Sequence, residues 1–248
     1  MRSSLTRFSD RVADYVKYRP GYPAGMLPLL QQAFGLAPGS VIADIGSGTG
    51  ISASVFIASG HTVYAVEPND AMRHAAENLL GHHPNFISLT GRAEDTGLDA
   101  ASIDVIFCAQ SFHWFRNEAT RTEFARILKP GGHIVLVWNI RKEDDPFQQE
   151  YEVLLQRIPD YRLVAREQLA TEDSIRAFMA PREMHVAALP YEQVFDLPGL
   201  LGRIRSSSYF PKHGRLGDSI LGAARELFDR YQLHGKITFP YETRIYWC

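Results

Sequence analysis

Apolar residues between positions 41 and 138 fall into two alternating patterns. Short runs rich in β-branched residues are typical of buried strands, whereas apolar residues three or four positions apart are typical of helices. The short runs predict five strands, at Val41–Ile45, Thr62–Val66, Asn85–Thr90, Ile103–Ala109 and His133–Trp138.

Helices are predicted between these strands, because the intervening segments have helical spacing and end at glycine or proline. Three such helices are expected, at Ile51–Ser59, Asp70–Leu80 and Asn117–Leu128, the last of them stopped by a turn over Lys129–Gly132. Alternating strands and helices predict a parallel sheet with helices on both faces and right-handed crossover connections.

The flanking segments have other patterns. On the N-terminal side, a helix around residues 8–16 with Ser9 as its cap is expected before a second helix at Ala24–Phe34. Pro240, near the C-terminus, predicts an edge position or a bulge for the strand that contains it. After residue 139 we expect, in order, a mostly helical segment Lys142–Ala180, a strand Met184–Phe195, helices Leu197–Arg205 and Asp218–Tyr231, and a last strand Ile237–Trp247.

We therefore predict an α/β fold, with a Rossmann-like, mostly parallel seven-stranded sheet, helices on both faces, an N-terminal helical lid and a C-terminal helical cap insertion. The 248 residues are expected to form a single domain. Within it, residues 1–40 would form the lid, residues 41–140 the cofactor-binding core, and residues 141–248 the C-terminal strands and the cap.

Composition narrows the classes of function. The formal net charge of −2 offers no broad basic surface, so neither nucleic acid nor a membrane is expected as a partner. No apolar run approaches the roughly 20 residues that span a bilayer, and the N-terminus lacks the apolar core of a secretory signal. Two cysteines fit a reducing compartment and predict a cytoplasmic protein. The histidines have no metal-binding spacing, so no metal is expected, and both a monomer and a homodimer remain open.

A glycine-rich loop follows the first strand directly. Gly46, Gly48 and Gly50 would lie beyond the carboxyl end of that strand, where open parallel sheets bind their ligands. Residues 48–53 match the dinucleotide pattern G-x-G-x-x-A, and Glu67 follows at the distance expected of a ribose-binding acid. Spacing alone therefore leaves a nicotinamide cofactor open.

Asp44 favours a different ligand. Its carboxylate is expected at the end of the first strand, facing the crevice, where it would repel a pyrophosphate and attract a cation. S-adenosylmethionine carries an ammonium and a sulfonium group and has no phosphate. The loop therefore favours this cofactor over a dinucleotide.

These segments resemble the class I S-adenosylmethionine-dependent methyltransferases over residues 41–138. The resemblance rests on residues 44–50, on Val66-Glu67-Pro68, on residues 91–94, on Asp104 and on the turn at residues 128–132. It implies that Glu67 binds both ribose hydroxyls and that Met72 packs on the adenine ring. It also implies that Ala93 and Glu94 bind the adenine amino edge, and that the cofactor is further contacted by Asp44, Gly46, Ser47, Gly48, Gly50 and Pro68.

A narrower resemblance is to the small-molecule branch that includes the trans-aconitate methyltransferases. It rests on residues 15–23, 110–115 and 138–141. In that branch the N-terminal helix folds over the cofactor, so Tyr18 and Arg19 would contact it, with the Arg19 guanidinium on the methionine carboxylate. Ala109 and Gln110 would flank the transferred methyl group. The residues expected to line the acceptor pocket are Tyr15, His113, Trp114, Arg203 and Tyr209.

We therefore expect methyl transfer from S-adenosylmethionine to a small-molecule acceptor, with a carboxylate or hydroxyl oxygen as the preferred nucleophile and S-adenosylhomocysteine as the product. His113 is the candidate general base, because imidazole titrates near neutral pH. Its aromatic neighbours fit a hydrogen-bonded wall residue as well. Two other functions remain open: an NAD(P)-dependent oxidoreductase, and a module that binds S-adenosylmethionine without catalysis.

Overall fold

The computed structural model describes residues 12–159, 161–167, 170–211 and 214–248. Seven strands lie in the described residues: β1 Val41–Ile45, β2 Thr62–Val66, β3 Phe86–Leu89, β4 Ile103–Ala109, β5 Leu128–Arg141, β6 His185–Phe195 and β7 Ile237–Trp247. The helices are α1 Val12–Tyr18, α2 Met26–Phe34, α3 Ile51–Ala58, α4 Asp70–Leu80, α5 Glu118–Ile127, α6 Pro146–Leu155, α7 Tyr161–Glu167, α8 Glu172–Met179, α9 Leu197–Arg205 and α10 Arg215–Tyr231.

One sheet contains the seven strands in the order β3-β2-β1-β4-β5-β7-β6. The strands from β3 to β5 are parallel, and β7 pairs antiparallel with both β5 and β6. The strand order reverses between β1 and β4, so the crevice for a ligand lies beyond the carboxyl ends of these two strands. The predicted Rossmann-like, mostly parallel sheet with helices on both faces is confirmed.

Three apolar cores hold the molecule together. On one face of the sheet, α2, α3 and α4 bury residues such as Met26, Phe56 and Ala76. On the other face, α5 and α8 contribute Phe124 and Phe178. The third core joins α6, α9 and α10 to the C-terminal strands and forms the cap. The ligand crevice thus lies between a rigid sheet and a cap with its own core.

The cap is reached from the N-terminal side by α1. The ring of Tyr18, at the end of α1, packs against the α9 backbone at Gly202. After α1, the Arg19 guanidinium donates a 3.1 Å hydrogen bond to the carbonyl of Ser206. The predicted cap residue Ser9 lies outside the described residues. The described part of the N-terminal helix is therefore docked on the cap and covers the crevice.

Most boundaries agree with the sequence pattern within two residues. The largest difference is β5, which begins at Leu128 and includes the segment predicted as a turn. Ile103 pairs with Leu128 and Val105 with His133, so the intervening residues 129–132 form an irregularity within the strand. Gly131, with φ 78°, supplies the left-handed conformation that this detour needs.

The prediction that Pro240 marks a sheet edge or a bulge is wrong. Strand β7 lies between β5 and β6, and its pairing with β6 has no register shift. The Pro240 carbonyl accepts a 3.2 Å hydrogen bond from the N–H of Lys142, immediately after β5. The carbonyl and the nitrogen of a strand residue point to the same side, so the missing N–H faces the end of β5 and costs no bond to β6.

None of the helices in the described part of the chain has the length and apolar character that crossing a bilayer requires.

Candidate functional site

A cavity of about 950 Å³ opens at the carboxyl ends of β1 and β4. The glycine loop, the ends of β2 and β4, and the turn Phe112–Trp114 form its inner wall. Residues after α1, residues of α6 and residues of α9 form its outer wall. This volume lies at the upper end of the range of ligand-binding clefts, about 300–1,000 Å³.

The glycine loop is shaped by close packing with the β4 side of the sheet. Gly46 has φ 68°, and its N–H donates to the Val66 carbonyl at 2.9 Å. A Cβ atom on Gly46 would lie 2.7 Å from the Cβ of Ser111, whose hydroxyl donates to the Ile45 carbonyl. Only glycine fits at this position, because it satisfies both the left-handed backbone and the close approach.

Glu67 joins the loop to the start of α4. Its carboxylate accepts one hydrogen bond from the N–H of Gly48 at 2.9 Å and another from the N–H of Asn69 at 2.7 Å. Burial raises the pKa of Glu67, although these two hydrogen bonds and the charge of Arg73 oppose the increase. The carboxylate lines the cavity and is therefore placed to accept hydrogen bonds from a ligand as well.

Two loop hydroxyls also fit a bound ligand. Ser47 and Thr49 are buried and line the cavity, and neither hydroxyl has a hydrogen-bond partner among the described residues. A buried hydroxyl without a partner is costly. The loop therefore presents polar atoms whose partners would have to come from the cavity.

Asp44, which the sequence analysis placed facing the crevice, does not line the cavity. It is completely buried behind the loop, where its carboxylate accepts a 2.6 Å hydrogen bond from the Ser52 hydroxyl. Burial raises its pKa to about 7, with the Ser52 hydrogen bond opposing the increase. Asp44 fixes the start of α3 from below, and its charge gives no direct argument against a pyrophosphate in the cavity.

Two further predicted cofactor residues lie outside the cavity lining. Gly50, with φ 82°, begins α3, and a Cβ atom there would lie 2.7 Å from the Leu80 side chain. Gly50 therefore permits close packing of α3 against α4. Tyr18 points to α9, where its ring meets Gly202. Both residues shape the site from behind and do not line it.

The other predicted cofactor residues line the cavity. The Arg19 guanidinium lies 4.8 Å from the centre of the Tyr15 ring, and its Nε atom has no partner among the described residues. Glu94 accepts a 2.8 Å hydrogen bond from the Asn117 side chain. The cavity lining includes Arg19, Gly46, Ser47, Gly48, Glu67, Pro68, Met72, Ala93, Glu94, Ala109 and Gln110.

The predicted acceptor residues are also brought together. His113 lies on the 3₁₀ turn after β4, with its ring centre 4.7 Å from that of Trp114. Tyr15, Arg203 and Tyr209 line the same cavity from α1 and from the α9 region. In the sequence these five residues are spread over almost 200 positions, from Tyr15 to Tyr209. The docking of α1 on the cap brings Tyr15 to the same cavity as the others.

Sequence reasoning missed the contribution of α6 and the neighbouring helix α7. Gln148 and Glu152 of α6 and Tyr161 of α7 line the cavity, together with Tyr241 of β7. One signal was present for Gln148. It shares the buried face of α6 with Tyr151 and Leu155, and a polar side chain within such an apolar stripe indicates a specific partner.

The comparisons with known proteins agree with this geometry. Residues 43–136 match the family model described as a methyltransferase domain. The matched residues include the glycine loop, Glu67 and the turn that carries His113. They support a methyltransferase domain in this part of the chain.

An uncharacterized methyltransferase-like protein of Schizosaccharomyces pombe is 36% identical over 154 residues, which is 62% of this chain and 59% of that protein. The chain thus covers less than two thirds of the length of the curated relatives it matches. A candidate methyltransferase from an antibiotic biosynthesis pathway of Anabaena variabilis has 23% identity and a TM-score of 0.65, covering 93% of this chain and 98% of that one. A candidate type II methyltransferase of Anaeromyxobacter dehalogenans has 24% identity and a TM-score of 0.63, covering 92% and 97%. The two structures show the shared fold over nearly the whole chain.

Proposed function

We propose that this protein transfers a methyl group from S-adenosylmethionine to a small-molecule acceptor. The observation that carries the proposal is the position of the Glu67 carboxylate, held against the glycine loop at the crevice where the strand order reverses. A carboxylate at this point can accept hydrogen bonds from two neighbouring ribose hydroxyls. The methyltransferase-domain match over residues 43–136 supports the same cofactor.

The residues in the cavity fit the parts of this cofactor. Glu67 would hold the ribose, Met72 and Ala93 would contact the adenine ring, and Glu94 would accept a hydrogen bond from its amino group. Arg19 would bind the methionine carboxylate, because a guanidinium matches a planar acid. S-adenosylmethionine supplies an activated methyl group, and the acceptor displaces S-adenosylhomocysteine from it.

The chain itself contributes position and exclusion of water. A docked α1 closes the cavity from the N-terminal side, and the cap closes it from the other. Holding two reactants in line can contribute up to about 7–11 kcal/mol to a bimolecular reaction. Ala109 and Gln110, at the end of β4, are placed to flank the reacting atoms between the two halves of the cavity.

His113 has two roles that depend on the acceptor. A hydroxyl oxygen loses a proton when it is methylated, and His113 would accept that proton. A carboxylate oxygen has no proton to lose, and His113 would then serve as part of the wall beside Trp114. In both cases the atom of the acceptor that we expect to be methylated is an oxygen.

An NAD(P)-dependent oxidoreductase is the main alternative, because residues 48–53 also match the dinucleotide pattern. The burial of Asp44 removes the electrostatic argument against it. What supports the methyltransferase is the domain match, which includes the same loop. Equilibrium binding separates the two functions.

Calorimetry with S-adenosylhomocysteine and with NADP tests the proposal. We expect S-adenosylhomocysteine to bind and NADP not to bind. Glu67→Ala should weaken S-adenosylhomocysteine binding by about 1–3 kcal/mol, because hydrogen bonds to a charged acceptor are lost. Glu226→Ala, on the exposed side of α10, is the matched control and should leave the affinity unchanged. Binding of NADP alone, or an unaffected Glu67→Ala variant, would contradict the assignment.

A methyl-transfer assay over a library of small acids and alcohols separates an enzyme from a silent binding module. We expect at least one acceptor to give S-adenosylhomocysteine at a rate above that of buffer. Tight cofactor binding with no turnover on any library member would favour the module instead.

A further inference from the structure

The cap half of the cavity contains a buried cation with free hydrogen-bonding capacity. Arg203, on α9, is only 9% exposed, and its Nε atom has no partner among the described residues. One of its terminal nitrogens donates to the Ser207 hydroxyl at 3.2 Å. No carboxylate in the described ranges lies within ion-pair distance of this guanidinium. Tyr241 also hydrogen-bonds to the guanidinium, and the surrounding tyrosines keep the pKa of Arg203 above its usual value despite burial. These partners carry no negative charge, so an anionic ligand would be the counter-ion of this buried cation.

Gln148 lines the same cavity from α6. Its side chain is 2% exposed, and neither its amide oxygen nor its amide nitrogen has a partner in the described part of the chain. The backbone N–H of Gln148 is satisfied by the Asp145 carboxylate that caps α6. The side-chain amide therefore presents both a donor and an acceptor to the cavity.

A second guanidinium nearby is already neutralised. Arg141 lies 5.2 Å from the centre of the Tyr151 ring and forms a 2.5 Å ion pair with Glu152. The Tyr161 hydroxyl donates to the same carboxylate at 2.5 Å. Arg141 and Arg203 both interact electrostatically with Tyr151 and Tyr209, so they belong to one cluster. Arg141 keeps one buried nitrogen, Nη1, without a partner among the described residues, but it has the Glu152 carboxylate beside it, whereas Arg203 has no such carboxylate.

Arg203 lies close enough to Arg19 for the two charges to interact. Burial is the main cause that lowers the pKa of Arg19, and repulsion from the Arg203 guanidinium is the second. If Arg19 binds the methionine carboxylate of the cofactor, that carboxylate supplies one charge for two neighbouring cations. The remaining positive charge lies on the acceptor side of the site.

We propose that the methyl acceptor is an oxyanion, a carboxylate or a phosphate, whose charged group is bound by Arg203 and Gln148 in the cap. The inference rests on the proposed function, because it assigns the acceptor end of the same cavity. The Arg203 fork accommodates two oxygens of such a group, and the Gln148 amide contacts a third polar atom. Tyr209 and Tyr241 line the space beside it. Arg203 and Gln148 thus determine specificity for an acid over its neutral analogue.

Calorimetry in the presence of saturating S-adenosylhomocysteine tests this subsite with three probes: benzoate, its neutral counterpart benzamide, and inorganic phosphate. We expect an anion to bind at least tenfold more tightly than benzamide. Benzoate preferred over phosphate would assign the subsite to carboxylates, and the reverse order would assign it to phosphates. Binding of benzamide as tight as that of the preferred anion, or no binding of either anion, would overturn the proposal.

Variants locate the binding to the cap. Arg203→Gln should weaken the preferred anion at least tenfold, and Arg203→Lys should recover part of that loss, because it keeps the charge without the fork. Arg205→Gln, on the exposed side of the same helix, is the matched control and should bind as the wild type does. Gln148→Leu tests the subsite independently from α6 and should also weaken the anion. An unchanged anion affinity in Gln148→Leu and in a folded Arg203→Gln would contradict the assignment.

Titration with S-adenosylhomocysteine distinguishes failure of the acceptor assignment from failure of the proposed methyltransferase function. Binding of S-adenosylhomocysteine without any anion binding would reject the acceptor assignment and leave the methyltransferase proposal standing. Failure to bind S-adenosylhomocysteine would reject the proposed function itself.

Discussion

Gln110 holds a left-handed backbone conformation, with φ 57°, directly after β4. Three described non-glycine residues have positive φ, and Gln110 is the one that lines the cavity. Such a conformation costs on the order of 1–3 kcal/mol and persists only where the surroundings enforce it. Here the Gln110 N–H donates to the Val137 carbonyl of β5 at 2.9 Å. The rigid sheet therefore maintains a strained residue at the proposed point of methyl transfer.

His113 is the residue whose role depends most on the acceptor. With a hydroxyl acceptor, we expect His113→Ala to lower kcat by about 100-fold and to remove the acidic limb of the pH profile, because the proton acceptor is lost. With a carboxylate acceptor, kcat should fall less than tenfold. Steady-state kinetics across pH, with His113→Gln as the isosteric comparison, distinguish the cases. A small loss with a hydroxyl acceptor would assign His113 to the wall.

At the scale of elements, the contact between α1 and α9 closes the site. The Tyr18 ring occupies the space that a side chain at position 202 would need, since a Cβ atom there would lie 2.0 Å from a ring carbon. Arg19 follows Tyr18 and bonds to Ser206 at the end of α9. These two contacts hold the described part of α1 against the cap.

Gly202→Ala should therefore displace α1. We expect a loss of about 1–3 kcal/mol in the free energy of unfolding, as in overpacked cores. Weaker binding of S-adenosylhomocysteine should accompany it, because Arg19 moves with α1. The measurements are urea unfolding and calorimetry.

Gly222→Ala is the matched control for that substitution. Gly222 lies within α10, and a Cβ atom there would have no neighbour within 4 Å. Alanine should stabilise the helix by up to about 1 kcal/mol and leave ligand affinity unchanged. Equal stability and affinity in the two variants would show that the α1–α9 contact does not constrain the site.

At the scale of the whole molecule, a buried acid makes the free energy of unfolding depend on pH. Asp44 lies in the central strand β1, between β2 and β4, and is completely buried. Its pKa rises from the usual 3.8 to about 7. Between these values the folded chain retains a proton that the unfolded chain has lost, so the free energy of unfolding falls as pH rises from about 4 to about 7.

Asp44→Asn should remove this dependence, because an amide keeps an acceptor for the Ser52 hydroxyl and does not titrate. A rise of the pKa from 3.8 to about 7 corresponds to about 4 kcal/mol. We therefore expect the variant to gain up to that amount over the wild type between pH 4 and pH 8, measured by urea unfolding. Asp229→Asn, exposed on α10, is the control and should follow the wild-type curve. A parallel pH dependence in Asp44→Asn and wild type would contradict the assigned cause.

Local pattern was sufficient for the elements and for part of the site. Strands β1, β2, β4 and β7 and helices α4 and α9 begin and end where the apolar periodicity predicts. Several of their boundaries coincide with a glycine, such as Gly46 after β1, or with a capping side chain, such as Asn69 of α4 and Asp196 of α9. Glu67 was expected in the site from its spacing after the glycine loop, and Gln110 from the resemblance to the small-molecule methyltransferases.

Tertiary structure alone decided which way the side chains at those positions face and which distant segments meet. Asp44 is buried and does not line the cavity, whereas Gln148 does. The packing of whole elements decides which side chains reach the cavity. By itself the sequence determined the alternating α/β order and the glycine loop, since these depend on contacts between residues close in the chain. The cap end of the cavity is formed by α1, α6 and α9, which are separated by up to almost 200 residues in the sequence. Local periodicity contains no information about contacts between such distant segments.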